Sequence, residues 1–138
     1  MNKTRIITAF AIFTFTLIIA ACGGDPGDRV IKSTTAGDMN VSLMSASGDL
    51  KNGENDLILS FADASGNPVD VGAASLNFHM PAMGTMAEMN GRATLTTTES
   101  PGRYRAQVDI EMKGTWEAQI KYEGPRGSGQ VSMTLSAK

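Results

Sequence analysis

The chain has 138 residues, the size of one domain, with 12 Lys and Arg against 14 Asp and Glu, which gives a formal charge of −2. Charges of one sign form no long run, so the composition argues against a nucleic-acid partner. The single Cys excludes an internal disulfide and a Cys-rich zinc site, and the single His, His79, excludes a multi-histidine metal site. We find no nucleophile–base pair or close carboxylate pair in the sequence, so we do not expect an enzyme. The unusual feature is the number of Met residues, nine.

The amino terminus has the pattern of a secretory signal peptide. Lys3 and Arg5 precede an apolar stretch at residues 6–19, which is shorter than the roughly 20 residues that a membrane-spanning helix needs. Residues 19–22, Ile-Ala-Ala-Cys, resemble the lipobox of bacterial lipoprotein signals. The resemblance implies that residues 1–21 are removed and that Cys22 carries the lipid that anchors the protein in a membrane. The alternative is ordinary cleavage after Ala21, which leaves a free thiol.

The residue after Cys22 indicates which membrane the lipid anchor occupies. Gly23, rather than Asp, follows the Cys. By resemblance to lipoproteins of double-membrane bacteria, this implies the outer membrane rather than the inner membrane. We therefore expect a lipid-anchored protein of the cell envelope that faces the periplasm.

Beyond the anchor, the sequence predicts a linker followed by one domain. The linker comprises residues 22–37, including the lipidated Cys, with a first short strand at residues 29–33. In the domain, residues 38–138, apolar and polar side chains alternate, as at 104–110 and 116–122. Alternation of this kind is typical of half-buried strands, and turn residues such as Gly and Pro separate the runs. About seven short strands predict an all-β, immunoglobulin-like antiparallel β-sandwich.

A Met-rich segment interrupts the strand pattern next to the only His. Met80, Met83, Met86 and Met89 recur at every third residue after His79. A loop or 3₁₀-like path places residues three apart on the same side, so these side chains could converge on one point. Thioether sulfur is a soft, neutral ligand that suits Cu(I), and imidazole suits copper as well. The segment therefore predicts a copper site, with Cu(I) as the metal.

The same residues have a structural interpretation. Met is a common gap-filling residue of hydrophobic cores, and Met80 shares the strand face of Leu76 and Phe78, so a core position fits it better than a ligand position. His79 points the other way. The proposed metal ligands are therefore His79, Met83, Met86 and Met89, with Met80 as a fallback.

Two short motifs give the chain a family resemblance that covers residues 39–137. One is residues 78–84, Phe-His-Met-Pro-Ala-Met-Gly. The other is residues 101–117, where a Gly-x-Tyr strand precedes a strand that begins Met-x-Gly-x-Trp. Both resemble the YtkA-like domain family, which is related to FixH. The resemblance implies an immunoglobulin-like β-sandwich, secreted or lipid-anchored, and a link with metal handling, copper especially.

These observations lead to one main functional hypothesis and two alternatives. The main hypothesis is an anchored protein that binds Cu(I) and either buffers it or passes it to a cuproprotein or an efflux system. The first alternative is a metal-free structural or assembly module of the envelope that docks a partner through its Met-rich loop. The second is a redox sink in which the Met residues are oxidised.

Overall fold

The computed structural model describes residues 27–138, so the expected signal peptide and the lipidation site Cys22 lie outside the described residues. This part of the chain is built from strands, and within it no helix has the length and hydropathy to cross a membrane. The strands are β1 (Arg29–Ala36), β2 (Met39–Ser45), β3 (Gly53–Asp63), β4 (Ala73–Met80), β5 (Met89–Arg92), β6 (Thr94–Thr97), β7 (Arg103–Ile110), β8 (Gly114–Gly124) and β9 (Gly127–Ala137).

The strands form two antiparallel sheets. One has the order β1-β2-β3-β7-β6 and the other the order β5-β4-β8-β9. Each sheet has one apolar face, and the two apolar faces pack against each other, which is the usual way for antiparallel sheets to bury them. The prediction of an all-β, immunoglobulin-like antiparallel sandwich is confirmed. The described residues hold nine strands against about seven expected, and the four-residue strand β5 is one that the alternating pattern does not indicate.

The structure moves the start of the domain upstream of the expected linker boundary. The short strand expected at residues 29–33 is present but extends to Ala36, and it pairs with β2 along its length. Ala36 pairs with Met39, so Gly37 and Asp38 form a two-residue hairpin turn. Gly37 has a φ of 63°, which is the conformation that such a turn needs. Residues 29–36 therefore belong to the sandwich and not to a linker.

The core lies between the sheets, and it contains one aromatic contact between the sheets and one within the five-stranded sheet. Phe61 of β3 meets Tyr122 of β8 with ring centroids 5.6 Å apart, and it meets Tyr104 of β7 at 6.0 Å in an edge-to-face arrangement. Trp116 is 1% exposed, and its indole N–H donates to the carbonyl of Met112 at 3.0 Å. Trp116 therefore fills the core, which is the role that its place in the alternating pattern predicts.

Contacts of Tyr104 and Gly102 hold one end of the sandwich together. The Tyr104 hydroxyl donates to the carbonyl of Gly72 at 2.6 Å. Gly102, with a φ of 71°, lies so near Val69 that an added Cβ would overlap the Val69 carbonyl. The Gly102 carbonyl accepts the Phe61 N–H at 2.8 Å. These contacts tie the connection before β4 to the start of β7.

Candidate metal centre

The imidazole of His79 lies on the outer face of the four-stranded sheet, next to the end of β4. Its neighbours in the strand, Phe78 and Met80, are 0% and 2% exposed, and alternation along the strand puts His79 on the opposite face. Its Nδ1 is 3.1 Å from Oδ1 of Asn90, the residue that pairs with it in β5. An amide oxygen can only accept, so with the Asn90 amide in this orientation Nδ1 is the donor, and in the neutral tautomer that this bond favours the lone pair is on Nε2. A hydrogen bond of this kind is typical of metal-ligating histidines.

A carboxylate lies on the other side of the imidazole. Glu117 of β8 is the residue that pairs with His79 in the register between β4 and β8. Side chains of directly opposite residues share a face, with Cβ atoms about 4.5–5.5 Å apart. His79 is thus flanked by an amide from β5 and a carboxylate from β8. The sequence does not predict Asn90 and Glu117 as neighbours of His79, because strand register is not visible in the alternation of a single strand.

Met83 and Met86 form a small hairpin of their own, called here the methionine hairpin (residues 83–86). The N–H of Met83 donates to the carbonyl of Met86 at 3.1 Å, and the reverse bond is 2.9 Å. Gly84, with a φ of 58°, supplies the turn. Residues paired in this way project their side chains on the same side, and here the two side chains are 54% and 40% exposed. The expected convergence of these two residues therefore comes from a hairpin and not from a 3₁₀-like path.

Met89 and Met80 lie on the other face of the sheet. The two residues pair with each other in the register between β4 and β5, so their side chains share a face. Met80 is 2% exposed, and Met89 is half-buried against the same core. The structure therefore does not bring Met89 together with His79, contrary to the sequence prediction. The three-residue spacing does not place all four Met side chains on one side, because the methionine hairpin reverses the chain direction between Met83 and Met89.

The candidate ligands are thus one imidazole at the end of β4 and two exposed thioethers in the connection that follows this strand. The methionine hairpin lies in the connection that begins directly after Met80, so it is attached to the sheet next to His79. Among residues 27–138, no three His, Cys, Asp or Glu side chains are grouped so that they could hold a metal ion. A metal here would depend on the sulfur atoms, and sulfur with imidazole is a donor set that fits Cu(I) better than Ca²⁺, Mg²⁺ or Zn²⁺.

The fold and the loop together define a class: an antiparallel β-sandwich that displays a His/Met segment at the end of one sheet. The YtkA-like family model matches residues 33–121. This match covers more than half of the chain, and the chain belongs to the YtkA-like family. No curated protein matches the sequence.

Solved structures of similar fold come from two groups of bacterial proteins. A DUF4426 family protein of Pseudomonas aeruginosa PAO1 is 16% identical with a TM-score of 0.52, over 76% of this chain and 94% of that one. FetP of uropathogenic Escherichia coli, recombinantly expressed in the periplasm of E. coli, is 12% identical with a TM-score of 0.50, over 79% of this chain and 95% of that one. A copper-bound FetP variant is 11% identical with the same TM-score, over 80% and 97%. At these identities the likeness concerns the fold.

Proposed function

We propose that this protein is a lipid-anchored, extracytoplasmic Cu(I)-binding protein that buffers copper or passes it to a cuproprotein or an efflux system. The observation that carries the proposal is the hydrogen bond between His79 Nδ1 and Asn90, which makes Nε2 the candidate ligand atom at the strand end that leads into the exposed methionine hairpin. The copper-bound state of FetP, a protein of similar fold, supports the choice of metal.

The proposed ligands are His79 Nε2 and the thioethers of Met83 and Met86. Thioethers carry no charge and need no deprotonation, so they hold Cu(I) at any pH that the envelope meets. The nearby carboxylate of Glu117 adds a favourable charge for a bound cation. Because both sulfur atoms lie on an exposed hairpin, an incoming protein can replace them one at a time. This arrangement favours transfer of the ion over permanent storage.

The proposed location rests on the sequence of the amino terminus. Cys22 would be lipidated, and the residues after it would connect the lipid to β1, which begins at Arg29. The proposed side is the periplasmic side of the outer membrane, because Gly23 follows Cys22.

The test is a Cu(I) competition titration of the purified protein with a chromogenic chelator. Replacing His79 by Ala, or both hairpin thioethers by Leu (Met83→Leu with Met86→Leu), should each lower the affinity at least about tenfold. Asn90→Ala should lower it by a factor in the range of about 10–100, as expected for a partner that orients a ligating histidine. Met89→Leu is the matched control, since the structure turns this side chain away from His79, and it should leave the affinity unchanged. Equal affinities of wild type and all variants would reject the proposal.

One observation favours a second function, docking of an envelope protein without metal. Met83 and Met86 are two of three exposed large hydrophobic side chains in residues 27–138, the third being Val30. Flexible apolar Met side chains suit adaptable protein contacts. In this case the same envelope partner would be captured with and without a copper chelator, and Met83→Lys would abolish its capture. Capture that requires copper would contradict this second function.

A further inference from the structure

Within residues 27–138, the methionines comprise an exposed pair, three buried residues and three half-buried residues, Met44, Met89 and Met112. Met83 and Met86 are 54% and 40% exposed, whereas Met39, Met80 and Met133 are between 2% and 6% exposed. We propose that the methionine hairpin is a site of oxidation by peroxides, at which conversion of Met83 or Met86 to the sulfoxide releases bound Cu(I). The modification follows from exposure alone, and only the release rests on the proposed function.

The reaction needs a peroxide as the oxidant. The sulfur lone pair attacks one peroxide oxygen, the O–O bond breaks, and a sulfur–oxygen bond forms. With hydrogen peroxide, the second oxygen leaves as water after a proton transfer. The thioether loses two electrons and the peroxide gains them, and the product is methionine sulfoxide.

The position of the pair allows oxidation to change the ligands without disturbing the fold. All residues from 81 to 88 are exposed, and the hairpin is closed by backbone hydrogen bonds, which a sulfoxide does not remove. A polar sulfoxide is therefore tolerated here, while the same change at Met80 would place a polar group in the core. A sulfoxide oxygen is a hard donor that suits Cu(I) poorly.

Copper binding and oxidation should oppose each other. A thioether sulfur that donates one of its lone pairs to the metal is less nucleophilic toward the peroxide. Protein loaded with Cu(I) should therefore react more slowly at the hairpin than the metal-free protein. Once oxidised, the site should keep His79 but have fewer soft ligands, so that it binds Cu(I) more weakly and releases it.

The first experiment maps oxidation in the metal-free protein. The protein is exposed to limiting hydrogen peroxide, quenched, digested and analysed by fragment-ion mass spectrometry, which gives a rate for each Met. Met83 and Met86 should react at least about tenfold faster than Met39 and Met133, which become accessible only by local opening. Equal rates at exposed and buried positions would overturn the assignment of the site.

The second experiment measures Cu(I) affinity before and after oxidation. Oxidised wild type should lose at least about tenfold in affinity, and far-ultraviolet circular dichroism should not change. The Met83→Leu, Met86→Leu double variant, which is close to isosteric, is the control and should show no further loss after peroxide treatment. Unchanged affinity of the oxidised wild type would overturn the release. A wild type that binds no Cu(I) before oxidation would reject the proposed function, while the oxidation map would still decide the modification site.

Discussion

Replacing Met80 by Ala should lower the stability of the domain strongly, whereas replacing Met83 by Ala should hardly change it, although the two residues lie three positions apart in one motif. Met80 is 2% exposed and Met83 is 54% exposed. Full burial of a Met side chain contributes about 1.5–3 kcal/mol, and the cavity left by a Met→Ala change adds to the loss. We therefore expect Met80→Ala to lower the free energy of unfolding by about 2–5 kcal/mol. Met83→Ala should change it by no more than about 0.5 kcal/mol.

The assay is denaturant unfolding followed by the fluorescence of Trp116, the single Trp of the chain, which is 1% exposed. Both variants should keep the wild-type dependence on denaturant concentration, so that a shift in midpoint reports a change in stability. Met133→Ala, at a position 4% exposed on β9, is a control for the loss of a buried Met and should behave like Met80→Ala. If Met83→Ala cost as much as Met80→Ala, the division of the methionines into core and hairpin would be wrong.

Three further predictions concern the fold and the anchor. Gly102→Ala should destabilise the domain by more than about 2 kcal/mol, because Gly102 has a positive φ and an added Cβ would overlap a neighbouring carbonyl. Gly37 has a similar φ but open space around it, so the control Gly37→Ala should cost only about 1–2 kcal/mol. Equal losses of stability in thermal unfolding of the two variants would contradict the overlap at Gly102. Burial, and secondarily the charge of Asp70, raises the pKa of Tyr104 above its usual value of 10.0, so the folded state holds this proton more tightly than the unfolded state does. The resulting stability is complete below the unfolded pKa, about pH 10, and is lost as pH rises through the higher folded pKa. A Tyr104→Phe variant should lack this loss of stability at alkaline pH. A loss of the same size in the variant would show that another group causes it. Cys22→Ser should move the protein from the membrane pellet to the soluble envelope fraction, and a variant that stays in the pellet would refute the lipid anchor.

The sequence predicts the features of this fold that depend on residues close together in the chain, such as which side chains of a strand are buried. Alternation along residues 104–110 and 116–122 is enough to decide which side chains face the core, and Met80 is placed there by its spacing from Phe78. The extent of β1 is not predicted, because its apolar content is low and its partner, β2, determines where it ends. A strand of this kind is stabilised by pairing more than by its own pattern.

The candidate site is harder to predict because strand pairing assembles it. Asn90 and Glu117 meet His79 through two registers that involve three strands, and no motif in the sequence contains them together. The Gly-x step between Met83 and Met86 is a known hairpin signal and would have predicted the reversal of the chain. Without that reversal, the regular spacing wrongly groups all the methionines on one side.

The most direct test of the copper proposal is X-ray absorption spectroscopy of the purified protein loaded with Cu(I). The account predicts a first coordination shell that contains two sulfur atoms and one imidazole nitrogen. In the Met83→Leu, Met86→Leu variant both sulfur contributions should disappear. A shell of nitrogen and oxygen alone in the wild type, or sulfur contributions that persist in the variant, would contradict it.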